Sequence, residues 1–557
     1  MTERNAARLL VDCLLQQGCD RIFTVPGESF LPVLDALHDS PEIDLVTCRQ
    51  EGGAAFMACA DGAMTGRPGV CFVTRGPGAT NASIGVHVAM QDSQPMILFV
   101  GDVDRGMRDR EGFQEVDFSA FFGPLSKWAA RIDDARRIPE YVARAYATAI
   151  SGRPGPVVIA LPEDMLHEAG IAAAPRDFVT RPAQAPCPDA MAVLMEMIGD
   201  AAAPVAIIGG AGWDARARAF FAQFAERIGL PVATAFRRQD AIPPASPVYA
   251  GNLGYGPNPQ LTERITQADL LLVVGARLGE ATTDGYELIT PDHPGQLLVH
   301  VHPDPEELGR VYAPDLAFCA DPAEFSESAA LWDESDVIPF DAGAQAHQQW
   351  LGWSTPPASE TASAYLLDMA RCMGIARQIL DPLAVICNGA GNFSGWWHRY
   401  WPYTGYPSQL APTSGAMGYG LPAAVAAALR FPDRQVVAVA GDGDFLMNAQ
   451  ELASAMQAGA NLIVILIDNG SYGTIRMHQE RSFPGRVSAT SLSNPDFVQL
   501  AQSYGAWAIR VETTEEFGSS LAEAVNRDGL RLLHCLIDPE QLSAAGATIS
   551  GLRAAAR

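Results

Sequence analysis

Two short segments carry residue types that could do chemistry. In VVAVAGDGDF a run of β-formers ends at an acid, Asp442, flanked by Gly441 and Gly443; in NLIVILIDNGSYG a second run ends at an amide, Asn469. Both runs read as buried parallel strands, with NAQELASAMQAG as the crossover helix between them. Asp442 and Asn469 then fall just beyond the carboxyl ends of neighbouring strands. Ligands lie at that edge in open α/β sheets, and the two glycines let backbone amides approach an anion. One carboxylate, one carboxamide oxygen and the carbonyl of Ser471 suit Mg²⁺ bridging a diphosphate. An ordinary glycine-rich turn, with Asn469 steadying the next loop, would use the same residues; the spacing to the second strand-end amide favours the metal.

A further acid, Glu51, stands in TCRQEGGAAFMACADG (47–62), after the strand DLVTC and at the start of a helix of small residues. Taken alone, such an acid is explained by the helix macrodipole. The single lysine, Lys127 in PLSKWA, lies in no P-loop, and a Schiff-base mechanism would depend on it alone, so it reads as a surface group.

At 557 residues the chain exceeds what one hydrophobic core supports, so several domains are expected. With 48% hydrophobic residues, 51 glycines and 40 prolines it suits an α/β enzyme better than a fibre or a disordered chain. A net charge of −26 disfavours nucleic acid and anionic membranes as partners, since both recruit clustered cations. The ten cysteines include no C-x-x-C pair, which speaks for reduced thiols rather than a zinc ribbon. MTERNAARLL has charges where a signal peptide needs an apolar core, and later apolar runs are too short to span a bilayer; a cytoplasmic protein is expected.

Strand-like runs DLVTC, GVCFVT, PMILFVG and GPVVIAL alternate with helical patterns, which implies βαβ units around a parallel sheet in residues 1–167. Residues 168–190 lose periodicity and read as a linker. A middle α/β domain (190–338) follows, with strands at 204–210, 230–234, 269–275 and 296–302. A second low-periodicity stretch covers 340–363, and the third domain (360–548) holds the opening segments. The fold class is therefore α/β, with three consecutive doubly wound parallel-sheet domains. Two similar domains flanking a third hint at duplication, without a short-period repeat.

Together these motifs resemble one family. GDG, twenty-four residues and then DN is similar to the thiamine diphosphate fingerprint, normally GDG to NN, of the acetolactate synthase, pyruvate decarboxylase and benzaldehyde lyase superfamily. The resemblance implies a pyrimidine-binding, a middle and a diphosphate-binding domain, with thiamine diphosphate and Mg²⁺ as cofactors. It puts the metal on Asp442, Asn469 and Ser471; Asp468 replaces the first Asn of the motif, a departure expected to leave the metal site intact. Residues 47–62 resemble the family's R-H-E-x-x-A-A, with Gln50 for His, which makes Glu51 the acid bonded to N1′ of the aminopyrimidine. That role asks for the raised pKa a carboxyl acquires in an apolar pocket.

TSGAMGYGLPAAVAAAL (413–429) resembles an acetolactate synthase element in which a Met side chain wedges between the cofactor rings, here Met417, and carbonyls at Gly415 and Met417 bind the aminopyrimidine. A core methionine is the alternative there. Further cofactor contacts implied by the resemblance are Gly27, Asn392, Phe393, Gly441, Gly443, Asp444, Phe445, Tyr472 and Gly473. VPGESFLPVLDAL (25–37), TRGPGATNASIG (74–85), QDSQPMILFVG (91–101) and GFQEVD (112–117) have counterparts in acetolactate synthase in the same order. Gln114 matches a glutamine facing the reacting centre, so it is assigned to substrate positioning. His478, where the acetohydroxyacid synthases carry a substrate-selecting Trp, reads equally as a proton donor or as an exposed helix histidine. Asn392 and Phe393 replace a Gln-His pair near the diphosphate.

In the middle domain, G-x-G-x-x-A (Gly210, Gly212, Ala215) is a weak nucleotide fingerprint, and Arg277 matches an arginine near the flavin of acetolactate synthase. Relatives keep this domain with FAD, with ADP or with nothing bound. The resemblance further implies a homodimer or homotetramer with shared active sites, Glu51 acting across the interface. The expected reaction is decarboxylation of a small 2-oxo acid with transfer to a carbonyl acceptor, as in acetolactate synthase. A non-ligating decarboxylase and a 2-hydroxyacyl lyase are the alternatives in the same family, a flavin- or nicotinamide-dependent oxidoreductase the alternative outside it, and a catalytically silent relative a third.

Overall fold

Buried runs of Val, Ile and Leu form the inner strands. The computed structural model describes residues 4–210, 212–291, 295–332, 339–358 and 363–555. Among them the strands make three six-stranded sheets in which every pairing is parallel. No helix of the described residues is long and apolar enough to cross a membrane.

The chain divides into two units. The first comprises Met1–Pro182 with Leu421–Pro432 and Asn448–Ala460. Its sheet contains β1 (Arg21–Thr24), β2 (Asp44–Thr47), β3 (Gly69–Val73), β4 (Met96–Asp102), β5 (Trp128–Arg131) and β6 (Pro156–Pro162), in the order β2-β1-β3-β4-β6-β5. The inner strands β3, β4 and β6 are buried along their whole length, whereas β5 at the edge is only half-buried. That is why β3, β4 and β6 are legible as continuous apolar runs and WAAR is not. The later segments are tied in by charge. Arg430 donates to Asp61 at 2.9 Å and to Asp20 at 2.8 Å, and Asp61 is buried.

The second unit comprises Ala183–Gly420, Asp433–Met447 and Asn461–Arg557. Its first sheet has β7 (Pro204–Ile208), β8 (Val232–Thr234), β9 (Tyr249–Asn252), β10 (Leu270–Val274), β11 (Leu297–His302) and β12 (Leu316–Cys319), in the order β12-β11-β10-β7-β8-β9. Its second has β13 (Val385–Asn388), β14 (Gln409–Leu410), β15 (Val436–Gly441), β16 (Leu462–Asp468), β17 (Trp507–Val511) and β18 (Leu530–Leu536), in the order β14-β13-β15-β16-β18-β17. Counted from its own first strand, this last sheet is wound as the β1–β6 sheet is, which agrees with the hint of duplication.

Residues 168–187 contain neither helix nor strand, as expected of a linker. The stretch 340–363 differs from expectation: Ala342–Ser354 is a helix, while 359–362 lie outside the described residues. Its buried residues are Gly343, Ala346, Trp350 and Ser354, three small and one large, too faint a stripe to register as periodicity.

Candidate active site

In the first unit the chemistry gathers at the carboxyl edge of the sheet. Glu51 opens the helix Glu51–Thr65, whose N-cap Gln50 accepts a hydrogen bond from the Gly53 amide at 3.0 Å. Glu51 is half-buried, and its Oε2 accepts from Asn81 Nδ2 at 2.9 Å. Asn81 lies on the helix Gly76–Asp92, and a Cβ built on Gly78 of that helix would stand 3.5 Å from Glu51 Oε1. Gln114 meets the start of the same helix: its carbonyl accepts from the Gly76 amide at 2.9 Å, with its own backbone at φ 64°. A non-glycine residue in that region is unusual and marks a conformation fixed by its surroundings. Gly27 lies against the turn after β3, where a Cβ would come 2.4 Å from Thr74 Cβ. Glu451, fully buried, accepts the Arg49 amide at 3.2 Å and so fixes the backbone just ahead of Glu51.

In the second unit β15 pairs with β16 so that Gly441 faces Ile467. Asp442 and Asp468 therefore continue the two strands side by side, with Asn469 next in line. Asp442 is 2% exposed. Asn494 Nδ2 donates to Asp442 Oδ2 at 2.7 Å and to Asp468 Oδ1 at 2.8 Å. Asp468 Oδ2 faces His534 Nε2 at 2.8 Å, and its Oδ1 accepts the Gly470 amide at 2.9 Å. Burial raises Asp442 above the ordinary carboxylate range, with the charge of Asp468 adding to it. Burial acts on Asp468 in the same direction, but the bonds from His534 and Gly470 outweigh it and hold this acid low.

Asn469 Oδ1 accepts the Ser471 amide at 3.1 Å, and the Ser471 carbonyl accepts the Gly473 amide at 2.8 Å. Beside them opens a cavity of about 180 Å³, lined by Asn469, Ser471 and the buried Arg476 among others. Among the described residues no group of three or more His, Cys, Asp or Glu forms a metal cage. The candidate metal position rests on one carboxylate, one amide oxygen and one carbonyl, oxygen ligands of the kind Mg²⁺ takes; Asn469 and Ser471 line the cavity, while Asp442 is buried beside Asp468.

The glycines of the motif are demanded by neighbours: a Cβ on Gly441 would lie 2.8 Å from the Phe393 ring, and one on Gly443 2.5 Å from the Tyr472 ring. Asp444, buried, accepts the amides of Gly418 at 2.9 Å and Ala390 at 3.0 Å, and burial pushes it up to about 7. It thereby joins the turn after β15 to the segment carrying Gly415 and Met417. Met417 is half-buried, and Gly415, at φ 71°, closes a turn onto the Pro412 carbonyl at 3.0 Å.

Three family descriptions match along the chain: "Thiamine pyrophosphate enzyme, N-terminal TPP binding domain" over residues 4–121, "central domain" over 191–328, and "C-terminal TPP binding domain" over 389–535. The isozyme 1 large subunit of acetolactate synthase from Escherichia coli (strain K12) is 32% identical, across 96% of this chain and 94% of its own length. The acetolactate synthase large subunit of Corynebacterium glutamicum is 30% identical, across 93% and 84%. The acetolactate synthase of Bacillus subtilis (strain 168) is 28% identical, across 97% and 94%.

The chain belongs to the thiamine pyrophosphate enzymes. Within this thiamine pyrophosphate enzyme the remaining expected residues fall in different settings. Asn392 exchanges bonds with Thr474: its amide donates to Thr474 Oγ1 at 3.0 Å, and Thr474 Oγ1 donates to Asn392 Oδ1 at 3.0 Å. Phe393 is buried against Gly441, and Phe445 meets Phe497 edge to face at 5.7 Å. His478 is exposed on the helix Gly473–Ser482.

In the central fingerprint the space at Gly210 is taken by the protein's own backbone. A Cβ on Gly210 would come 2.1 Å from the Gly275 carbonyl, while Trp213 Nε1 donates to Gly209 O at 2.9 Å and Arg238 Nη2 to Gly210 O at 2.6 Å. The helix Ala215–Ile228 is capped by the Asp214 carboxylate, which accepts the Ala217 amide at 2.7 Å. A pyrophosphate at that helix start would face this anion, so the phosphate arrangement the fingerprint describes does not fit here. Arg277 is half-buried in the turn after β10.

Sequence reasoning missed Asn81, Glu451, Asn494 and His534. Each acts through a residue far away in the chain; Asn81 lies inside the quoted segment TRGPGATNASIG and Glu451 inside the crossover helix, but nothing in either run singles it out.

Proposed function

We propose that this thiamine pyrophosphate enzyme is a Mg²⁺-dependent, cytoplasmic carboligase that decarboxylates a small 2-oxo acid and transfers the remaining carbon unit to a carbonyl acceptor, in the manner of acetolactate synthase. The observation that carries this reading is the pairing of β15 with β16, which sets Asp442 beside Asp468, the residue preceding Asn469, at the carboxyl edge of the sheet. The names of the relatives, all acetolactate synthases, support the reaction type.

Thiamine diphosphate, when bound, supplies a carbanion at C2 of its thiazolium ring and an electron sink for the carbon–carbon bond that breaks. Asp442, Asn469 and the Ser471 carbonyl would hold the metal, and with it the diphosphate. Glu51 would hold and return a proton at N1′, kept in orientation by Asn81. Met417 would fill the space between the two rings, and the carbonyls of Gly415 and Met417 would orient the aminopyrimidine. Gln114 is assigned to the substrate side, His478 to the rim. The sites are shared in a homodimer or homotetramer, each taking Glu51 from one protomer and its metal ligands from the other. FAD supplies no step in this reading; the Asp214 carboxylate that caps the helix Ala215–Ile228 disfavours a phosphate at that one helix start, and a flavin elsewhere in the central domain is compatible with the reaction.

The test is turnover of pyruvate by the pure enzyme with thiamine diphosphate and Mg²⁺, assaying acetolactate and acetaldehyde together. Acetolactate is the expected product. Acetaldehyde alone makes the enzyme a non-ligating decarboxylase. If neither forms, a panel of 2-oxo acids and aldehydes decides between another donor and a hydroxyacyl lyase, and either outcome overturns the acetolactate synthase assignment.

A further inference from the structure

The family's GDG to NN motif is broken in this chain at one position, where Asp468 brings a second carboxylate beside the candidate metal ligand Asp442. Two buried acids at adjacent strand ends repel each other unless a shared proton or a common donor offsets the repulsion. The two carboxyls are within hydrogen-bond reach of each other, and Asn494 is the donor common to both. It lies in the loop before the helix Phe497–Ser503, and its two amide hydrogens are divided between the acids, at 2.7 Å to Asp442 and 2.8 Å to Asp468. Because both contacts are to carboxylates, the orientation of the amide is unambiguous: nitrogen faces the acids.

The loop is held in place by packing. Phe497 is fully buried between Phe445, ring centroids 5.7 Å apart, and His534, 5.1 Å apart. His534 in turn meets the far oxygen of Asp468 at 2.8 Å. The chain Asp442, Asn494, Asp468, His534 thus spans the turn after β15, the loop before Phe497, the end of β16 and the strand β18.

We propose that Asn494, braced by Asp468 and His534, is a positioning residue that fixes the Asp442 carboxylate for divalent metal, and that Asp468 is the acceptor this chain uses to lock it. The proposal rests on Asp442 being a metal ligand. Outer partners of this kind orient ligating carboxylates, and their loss weakens metal binding by roughly 10–100-fold.

Mn²⁺ binding to the full-length protein, followed by electron paramagnetic resonance with and without thiamine diphosphate, provides the test, with thermal melting as a control. Asn494→Ala should weaken Mn²⁺ by that factor and broaden the distribution of bound spectra, while still melting in one cooperative transition, at a lower temperature than the parent because the two buried acids lose their shared donor. Asp468→Asn, whose single carbonyl oxygen can serve Asn494 or His534 but not both, should weaken Mn²⁺ less. Asp442→Ala is the reference. If Asp442→Ala abolishes Mn²⁺ binding while both other variants bind as the parent does, the positioning role is wrong and the metal site stands. If Asp442→Ala binds Mn²⁺ normally, the metal site itself is wrong and the proposal goes with it. Should Asn494→Ala fail to fold, unchanged affinity and spectra in Asp468→Asn overturn it alone.

Discussion

The first and third sheets are wound alike yet carry opposite halves of the chemistry. In each, a glycine just past the first strand yields space to a side chain from the turn past the third: Gly27 to Thr74 in one, Gly389 to Asp444 in the other, where built Cβ atoms would come to 2.4 Å and 2.1 Å. The shared winding sets where loops emerge; the residues on those loops set what they do. Past β2 stands an acid half-open to solvent and bonded to one amide, Asn81, which suits the exchange of a proton. Past β15 stands an acid almost fully buried, beside a second acid and held by Asn494, which suits a cation that neutralises it. On the proposed roles, one scaffold would support proton transfer or metal binding according to how many oxygens it gathers and how deeply it buries them.

Exchanging the consequences of the two acids is the most forceful way to break this comparison. Asp442→Ala should reduce metal-dependent binding of thiamine diphosphate by more than the roughly 10–100-fold that losing an outer partner costs. Calorimetric titration with cofactor, with and without Mg²⁺, checks it, and unaltered affinity removes the metal assignment. Glu51→Gln should do the reverse: binding persists while C2–H exchange, followed by NMR, slows by roughly 10²–10⁴-fold. Exchange at the parental rate would strip Glu51 of its role.

A smaller effect tests the common scaffold. Gly27→Ala and Gly389→Ala each force a methyl into occupied space, so each should lower stability by about 1–3 kcal/mol in denaturant unfolding. If only one of the pair does so, the two turns are not equivalent.

The smallest effect sharpens the contrast at the rim of the third sheet. Arg553 donates to Glu480 at 2.6 Å, and that bond, helped by the Gly485 amide and Arg476, holds the acid down at about 2. A carboxyl depressed in the folded state stabilises it fully above its ordinary value of 4.5, and this contribution is lost as pH falls toward 2. The helix Ile549–Ala555, which carries Arg553, should therefore lose hydrogen-exchange protection over that range. Glu480→Gln should show no such loss between pH 4.5 and 2.

Much of this was legible in the sequence, for a physical reason. Inner parallel strands are buried on both faces, so VVAVAG and NLIVILID announce themselves, and residues at their ends inherit a known position. Edge strands such as β5 and β12 lack that signal because solvent reaches them. Asp442 and Asn469 were readable as strand ends; Asn494 was not, because a loop asparagine 52 residues from its partner carries no pattern. The Asp468 departure looked neutral in sequence, and only the neighbouring strand, 66 residues on, supplies the His534 that answers it. The central fingerprint was weak for another reason: Gly210 makes room for the Gly275 carbonyl, so a glycine there is explained by the protein's own backbone.

The discontinuity of the first unit bears on how the protein is made. Its opening 182 residues include Asp61, already placed for burial, but Arg430 and the segment ending at Ala460 leave the ribosome only later. At roughly 5–20 residues per second that wait lasts tens of seconds, during which a nearly finished module holds an unanswered charge and an uncovered flank. Nascent chains at this stage are the form most in need of chaperone cover, and expression of residues 1–182 alone would arrest the protein there.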